Sequence, residues 1–460
     1  MIAADNIAAR LESILGGGRI VADEETLRDY SVDSVAPNAI VSPKSDAEVV
    51  EIVRFAASEG LSVIASGSRS KLGIGMPPER YDIAMDMHEM SAIAHFDAGD
   101  MTLSTEAGMP LSSLGKILAE KHQFLPVAVP CYQCSTVGGA VASGIDSVLR
   151  QQYGTARDFL IGAEFVDGKG TLCKSGGRVV KNVTGYDLHK LLVGSLGTLA
   201  VITRLNFRTF PLPRAFGGFA VSFADIGSAL SFRAALDRRG LPVANIELLD
   251  AEAAKLTRFR MDKLGASVGI EGGTGRCLSY TSFEGNEVVV QRIARELESL
   301  AREANALKWG EMDSSTDAEM GGVMREAFDW LRHCAPTVAL FRITFAALQA
   351  THFKVLQEIA VAASLRSALF IRGGGVVYFA LFAEQEHAAV IDGLSKAAER
   401  MFSAVESMQG CGTLLHAPTM LKERLSVWGA KRGDFAMMRR VKNAFDPANI
   451  LAPGRFVGRF

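Results

Sequence analysis

Across residues 47–59 the apolar side chains Val49, Val50, Ile52, Val53 and Ala56 recur at a spacing that gathers them on one face of a helix. Leu61-Ser62-Val63-Ile64 follows as a strand and runs directly into the loop Ser66-Gly67-Ser68-Arg69-Ser70. Short β-like runs alternate with helices in this way over residues 36–213, heavily punctuated by glycine, and the pattern predicts an α+β organisation. From about residue 215 to 424 the texture changes. Strand-like runs at 337–345 and 376–382 alternate there with long amphipathic helices such as 286–303, which predicts a separate α/β cap domain. Residues 437–460 read as a basic helix ending at Phe445-Asp446-Pro447, then a turn-rich tail with Pro453-Gly454. The expected division is an N-terminal helical segment at 1–35, a first domain at 36–214, the cap at 215–425, and a C-terminal segment at 426–460 that returns to the first domain.

Length and charge narrow the classes. At 460 residues the chain exceeds one comfortable core. Its 49 basic and 51 acidic residues leave a net charge of −2, so nothing draws it to nucleic acid or an anionic membrane surface. The first residues lack a basic start followed by an apolar core, and no apolar stretch reaches spanning length, so a cytoplasmic protein without a transmembrane segment is expected. Six scattered cysteines form neither a disulfide framework nor a cluster ligand set. Cys131-Tyr132-Gln133-Cys134 lacks the second pair of a zinc site and any surrounding redox-fold pattern, and reads as two small loop residues.

Glycine changes the picture most. The chain has 45, clustered in four stretches at 66–75, 135–144, 175–185 and 194–197. A loop of Gly and Ser can present successive backbone N–H groups to an anion and so neutralise a pyrophosphate without a lysine cluster. Neither G-x-G-x-x-G nor G-x-x-x-x-G-K-[ST] occurs, which disfavours a Rossmann dehydrogenase or a P-loop ATPase.

Over residues 36–213 the motifs keep one order: Ser66 to Lys71, Asp82 to Met87, Pro130, Thr136-Val137-Gly138-Gly139 with Ala142-Ser143-Gly144, Tyr153-Gly154, Arg157-Asp158, Gly185-Tyr186-Asp187, and Gly194 to Thr203. This series resembles the FAD-linked oxidases of the para-cresol methylhydroxylase type, which implies a two-subdomain FAD-binding domain with an α/β cap. The resemblance assigns the FAD pyrophosphate to Ser66, Gly67, Ser68, Arg69, Ser70, Pro130, Thr136, Val137, Gly138, Gly139, Ser143 and Gly144. It assigns the adenine and ribose side to Gly197 and Ile202. Members with a covalent flavin often carry a histidine in the first loop, where this chain has serines and Arg69, so non-covalent FAD is implied. The run from Arg157 to Gly162 and the string Lys181-Asn182-Val183-Thr184-Gly185-Tyr186-Asp187 are most similar to the FAD-binding subunit of glycolate oxidase. The ending through Pro453-Gly454-Arg455 also resembles the family's, although Ala452 stands where an asparagine is common.

Oxidising a 2-hydroxy acid requires the substrate C–H aimed at flavin N5, a base for the hydroxyl proton and a cation for the carboxylate. The base and the cation are expected on the cap sheet, where Arg342, Arg372, Tyr378 and His416 lie on or beside strands. His416 and Arg372 are the catalytic candidates. His189 reads as a packing residue with one hydrogen bond. The eight histidines include no close pair that would serve a catalytic metal, so no metal is expected. Three readings stay open. They are a glycolate oxidase-type dehydrogenase acting on a small-molecule 2-hydroxy acid, with a partner subunit or quinone taking the electrons; an oxidase of another alcohol, such as a sugar or aldonolactone; and a non-catalytic FAD relay subunit. Trp428 and the basic residues Lys431, Arg432, Arg439, Arg440 and Lys442 could face a partner, cap the core or lie in solvent.

Overall fold

The computed structural model describes residues 4–16, 18–178, 185–265, 276–430 and 433–460. The helix Asp46–Glu59 starts where Ser45 accepts from Glu48 N at 3.3 Å and stops at Gly60, whose φ of 67° is a left-handed cap. Val49, Ile52, Val53, Phe55 and Ala56 are buried on it. The strand that follows is Val63–Ser66, two residues later than the alternation suggested. Asp82 explains the shift: its carboxylate takes Ser62 N at 2.8 Å and Ser62 Oγ at 2.7 Å, so Ser62 is spent before the ladder begins.

Three sheets carry the architecture. The first orders Ile20–Val21, Ala39–Val41, Ile83–Asp86 and Val63–Ser66, with the last three parallel. The second is antiparallel and orders Ile93–Asp97, Thr102–Glu106, Ala200–Arg208, Leu160–Asp167 and Leu172–Gly176. These two sheets flank the glycine loops. The third has eight antiparallel strands: Lys308–Met312, Ala215–Phe223, Cys277–Gly285, Val243–Leu249, Arg366–Arg372, Val376–Ala383, Thr337–Thr344 and Cys411–His416.

Alternation along the third sheet splits its faces. Phe341, Ile343, Phe379 and Leu414 pack on one side against helices such as Glu287–Glu303 and Ala388–Ser407. Leu340, Phe370, Tyr378 and Leu415 pack on the other, in one continuous core with Val137, Val141, Ile145 and Leu192. The second face therefore looks at the glycine loops, and a residue two positions from Leu340, such as Arg342, shares it.

The C-terminus returns to the first sheet: Val63 N donates to Ile450 O at 2.8 Å and Ala452 N to Val63 O at 2.9 Å. Lys442, on the helix Phe435–Phe445, secures that return from inside the protein. It is 1% exposed and its Nζ donates to Asp446 Oδ2 at 2.6 Å, Thr198 O at 2.8 Å and Leu451 O at 3.0 Å. Of the other members of the basic group, Arg439 lies over the Phe435 ring, while Lys431 and Arg432 fall outside the described residues. Trp428 packs on Phe456 with ring centroids 4.9 Å apart and donates to Arg455 O. No helix among the described residues is long and apolar enough to cross a membrane.

Candidate active site

Where the strand Val63–Ser66 ends, its loop meets the segment Thr136–Gly139 face to face. A Cβ on Gly67 would lie 2.2 Å from Thr136 Oγ1, and one on Gly138 would lie 2.7 Å from Ala107 Cβ and 2.8 Å from Ala107 O. Only glycine permits these approaches. The cleft so formed has two connected halves. Ser66, Gly67, Thr136, Gly139, Ala142 and Gly197 line both. Ser68, Arg69, Ser70, Lys71, Ser135, Ser143, Leu196 and Arg455 add to one half, and Met87, Ala107, Gly138, Ala200 and Ile202 to the other.

Most of the residues expected from the sequence to hold a cofactor therefore share one cleft. Pro130, Val137 and Gly144 stand behind its wall. Pro130 O accepts from Lys71 Nζ at 2.9 Å, Val137 is buried, and a Cβ on Gly144 would meet Gly194. Lys181 to Thr184 lie outside the described residues.

The two loops contribute differently. Val137 N, Gly138 N and Gly139 N donate to Met109 O, Ala107 O and Thr136 Oγ1 at 2.9, 2.8 and 3.2 Å. Those donors are already used, so this segment offers room more than hydrogen bonds, and an anion must draw on the first loop. Arg69 there has φ 60°, stacks 4.0 Å over the Tyr30 ring and pairs with Asp86 at 3.8 Å. Ser66 Oγ is buried without a protein partner, a donor left for a ligand. Arg455 is buried from the C-terminal side and donates to Leu72 O and Ile74 O. A long, thin ligand carrying a pyrophosphate fits a cleft of glycine, serine and flanking cations.

Above the cleft, Asp146 joins the two domains. Its carboxylate takes Arg342 Nε at 2.5 Å and Nη2 at 3.2 Å, Tyr378 OH at 3.3 Å, and Arg150. Its pKa is held below the ordinary range by Arg342 first and then Arg150, against the opposing effect of burial. Glu247, fully buried, pairs with Arg372 Nε at 2.7 Å, and burial pushes its carboxyl up. Three guanidiniums, Arg150, Arg342 and Arg372, thus face two carboxylates and leave one positive charge in excess. Arg372 is itself 3% exposed, and its Nη1 and Nη2 donate to Asp146 O and Met324 O. Arg342 by contrast borders a cavity of about 480 Å³, whose wall includes Thr413, Phe402, Trp428 and Phe456.

His416 pairs across from Leu340, two positions from Arg342 along the neighbouring strand. Burial, then Lys422, Arg332 and His333, push its pKa down to about 3, so its ring is neutral at ordinary pH. Lys422 is buried and held by Asp33 at 2.8 Å and Gly73 O at 2.6 Å. His189 is 2% exposed with Ser175 Oγ 2.9 Å from Nδ1, a packing residue as expected. Among the described residues no group of three His, Cys, Asp or Glu side chains is gathered as a metal ligand set.

Residues 37–176 match the FAD binding domain family, and residues 212–456 match the FAD linked oxidases, C-terminal domain. The chain belongs to the FAD-linked oxidases. It is therefore an FAD-dependent oxidoreductase, and most residues lining the glycine cleft lie within the part that matches the FAD binding domain. Among its relatives, "Glycolate oxidase subunit GlcD" of Bacillus subtilis is 22% identical over 96% of this chain and 93% of the relative. "D-lactate dehydrogenase" of Archaeoglobus fulgidus is 27% identical over 93% and 94%. "Glycolate oxidase subunit GlcE" of Escherichia coli is 34% identical, over 36% of this chain and 47% of that one. A structure of p-cresol methylhydroxylase has the same fold, with a TM-score of 0.78 at 16% identity over 98% of this chain and 96% of that one.

The order of glycine loops in the sequence was enough to outline the cleft. Glu247 and Lys422 carried no local signal, because their partners lie 125 and 389 residues away; Asp146 has a local partner in Arg150, but its contact with Arg342 spans 196 residues.

Proposed function

We propose that this chain is a glycolate oxidase-type dehydrogenase of a small 2-hydroxy acid, or the FAD-binding subunit of one, with FAD held non-covalently. Bound in the cleft, FAD would supply the two-electron acceptor for the hydride of substrate C2. The protein's part is to hold and orient the substrate. Arg342, fixed in two places by Asp146 and bordering the cavity, holds the substrate carboxylate. Arg372 keeps that cation in position through the Asp146 backbone and Glu247, and does so without touching substrate. His416, kept neutral by burial and by the cations around it, accepts a hydrogen bond from the substrate hydroxyl.

The observation that carries the reading is Arg342, a guanidinium fixed by Asp146 that borders a cavity also lined by Glu406 and Asp434; an arginine held in this way suits a carboxylate and has no use for a neutral polyol. The names of the relatives, a glycolate oxidase subunit and a D-lactate dehydrogenase, support it. The likeness to GlcE, itself named as a subunit, supports a setting with a partner subunit.

The test is anaerobic titration of the flavoprotein with glycolate, D-lactate and a neutral aldonolactone. The expected result is bleaching by a hydroxy acid, with Arg342→Met raising the half-saturating concentration about 10- to 100-fold, the range set by losing a charge-assisted hydrogen bond. Bleaching by the aldonolactone alone would move the assignment to another alcohol. Bleaching by none of them would favour the relay subunit.

A further inference from the structure

One turn beside the cleft carries chemistry that the flavin reaction does not use. Cys131 and Cys134 are free thiols at its two ends. Cys134 N donates to Cys131 O at 3.1 Å and Ser135 N to the same carbonyl at 2.8 Å. A hydrogen-bonded four-residue turn keeps its end Cα atoms within about 7 Å, and a disulfide spans roughly 4.4–6.8 Å between Cα atoms. The sequence offered only the C-x-x-C spacing, whereas the closed turn supplies the proximity.

The reduced turn is held by the cap. Cys131 N donates to Glu326, Tyr132 N to the same carboxylate at 3.4 Å, and Cys131 Sγ to Asp329 Oδ1 at 3.3 Å. Cys131 adopts φ 55°, a left-handed conformation rare outside glycine, and these cap contacts fix it there. The FAD-domain side has its own hold, because Lys71 Nζ donates to Pro130 O and Ser135 Oγ, and its charge acts on both thiols. Cys134 is exposed, while burial and Asp329 keep Cys131 protonated, its pKa pushed up to about 12. One thiol is therefore accessible to an oxidant, and the other is the sheltered donor beside it.

We propose that Cys131 and Cys134 form a reversible disulfide under peroxide, and that its formation frees this turn from the cap and loosens the cofactor cleft. The Cys134 thiolate attacks hydrogen peroxide, forming an S–O bond as O–O breaks and one oxygen leaves as water. Cys131 sulfur then attacks that of the Cys134 sulfenic acid. The S–S bond forms, S–O breaks, and the departing hydroxide leaves as water with the Cys131 proton, passed through Asp329. Two thiols lose two protons and two electrons, and one peroxide becomes two waters. The disulfide removes the Sγ–H that Asp329 accepts. It also strains the backbone that donates to Glu326. Ser135 and Thr136, which line the cleft, are the next residues in the chain, so the change reaches the wall facing Gly67.

The experiment treats the FAD-loaded protein with hydrogen peroxide and maps its peptides without reduction. The expected result is a Cys131–Cys134 bond, seen as the loss of two hydrogens from that peptide and reversed by a thiol reductant. It should be absent in Cys131→Ser and Cys134→Ser and present in Cys173→Ser. Flavin release, followed by fluorescence, should quicken about two- to tenfold in the oxidised protein, the range for losing one or two hydrogen bonds. It should return on reduction, and Cys134→Ser should show no response to peroxide. Failure to form the bond while flavin stays bound would overturn the proposal. A bond that forms without changing flavin release would overturn its coupling to the cleft.

Discussion

Replacing Gly67 by alanine sets a methyl carbon 2.2 Å from Thr136 Oγ1, 2.5 Å from its Cγ2 and 2.9 Å from its Cβ. Thr136 has nowhere to go. It is 2% exposed and branched at Cβ, and its Oγ1 caps the helix Val137–Ser143 by accepting Gly139 N. Overpacking of this kind costs roughly 1–3 kcal/mol, and dislodging the cap adds about 1 kcal/mol. Only parting the two loops relieves the strain, and parting them undoes the close approach that shapes the cleft. If the whole cost of about 2–4 kcal/mol falls on the cofactor, the FAD dissociation constant rises roughly 30- to 700-fold. Titrating the apoprotein with FAD and following flavin fluorescence measures this directly. Thr136→Ala removes the two nearest atoms, so the double variant should bind better than the sum of the two single effects predicts. Wild-type affinity and thermal stability in Gly67→Ala would refute the argument that this approach needs glycine.

Other predictions follow from the buried charges. His416, with its pKa depressed to about 3, binds fewer protons folded than unfolded between there and the ordinary value of about 6.5. Its contribution is therefore fully present above pH ~6.5 and is lost as pH falls through that window, and His416→Asn should flatten the acid limb of Tm against pH. Lys442→Met leaves Asp446 buried beside Ile450 N and Leu451 N without its cation, which should cost on the order of 3 kcal/mol in denaturant unfolding. Arg372→Lys cannot reproduce three separate guanidinium contacts, so it should lower turnover and stability together, whereas Arg342→Met should act mainly on KM.

How far the sequence reached depended on whether the cause was local. The helix Asp46–Glu59 announced itself because periodicity, N-cap and C-cap glycine all lie within its own sixteen residues, 45–60. The following strand slipped by two residues because Asp82, twenty positions away, claims Ser62. That the first glycine loop lines a cleft was legible from its run of Gly and Ser after a strand. That the second loop mostly supplies space was not, because its N–H groups are taken by Met109 and Ala107 on a distant segment. Lys442 looked like a solvated charge within a basic helix, and its buried role appears only once the tail folds back onto Val63. The cap network around Asp146 joins residues from both domains, and no pattern within either one foretells it.

The central claim is an FAD enzyme whose cofactor is held by this cleft without a covalent bond. The most direct measurement is the visible absorption spectrum of the purified protein before and after acid precipitation, with the supernatant assayed for FAD. The account predicts a flavin spectrum in the native protein and FAD recovered in the supernatant. Flavin that stays with the precipitate would contradict non-covalent binding, and a colourless protein that cannot be reconstituted with FAD would contradict the cofactor itself.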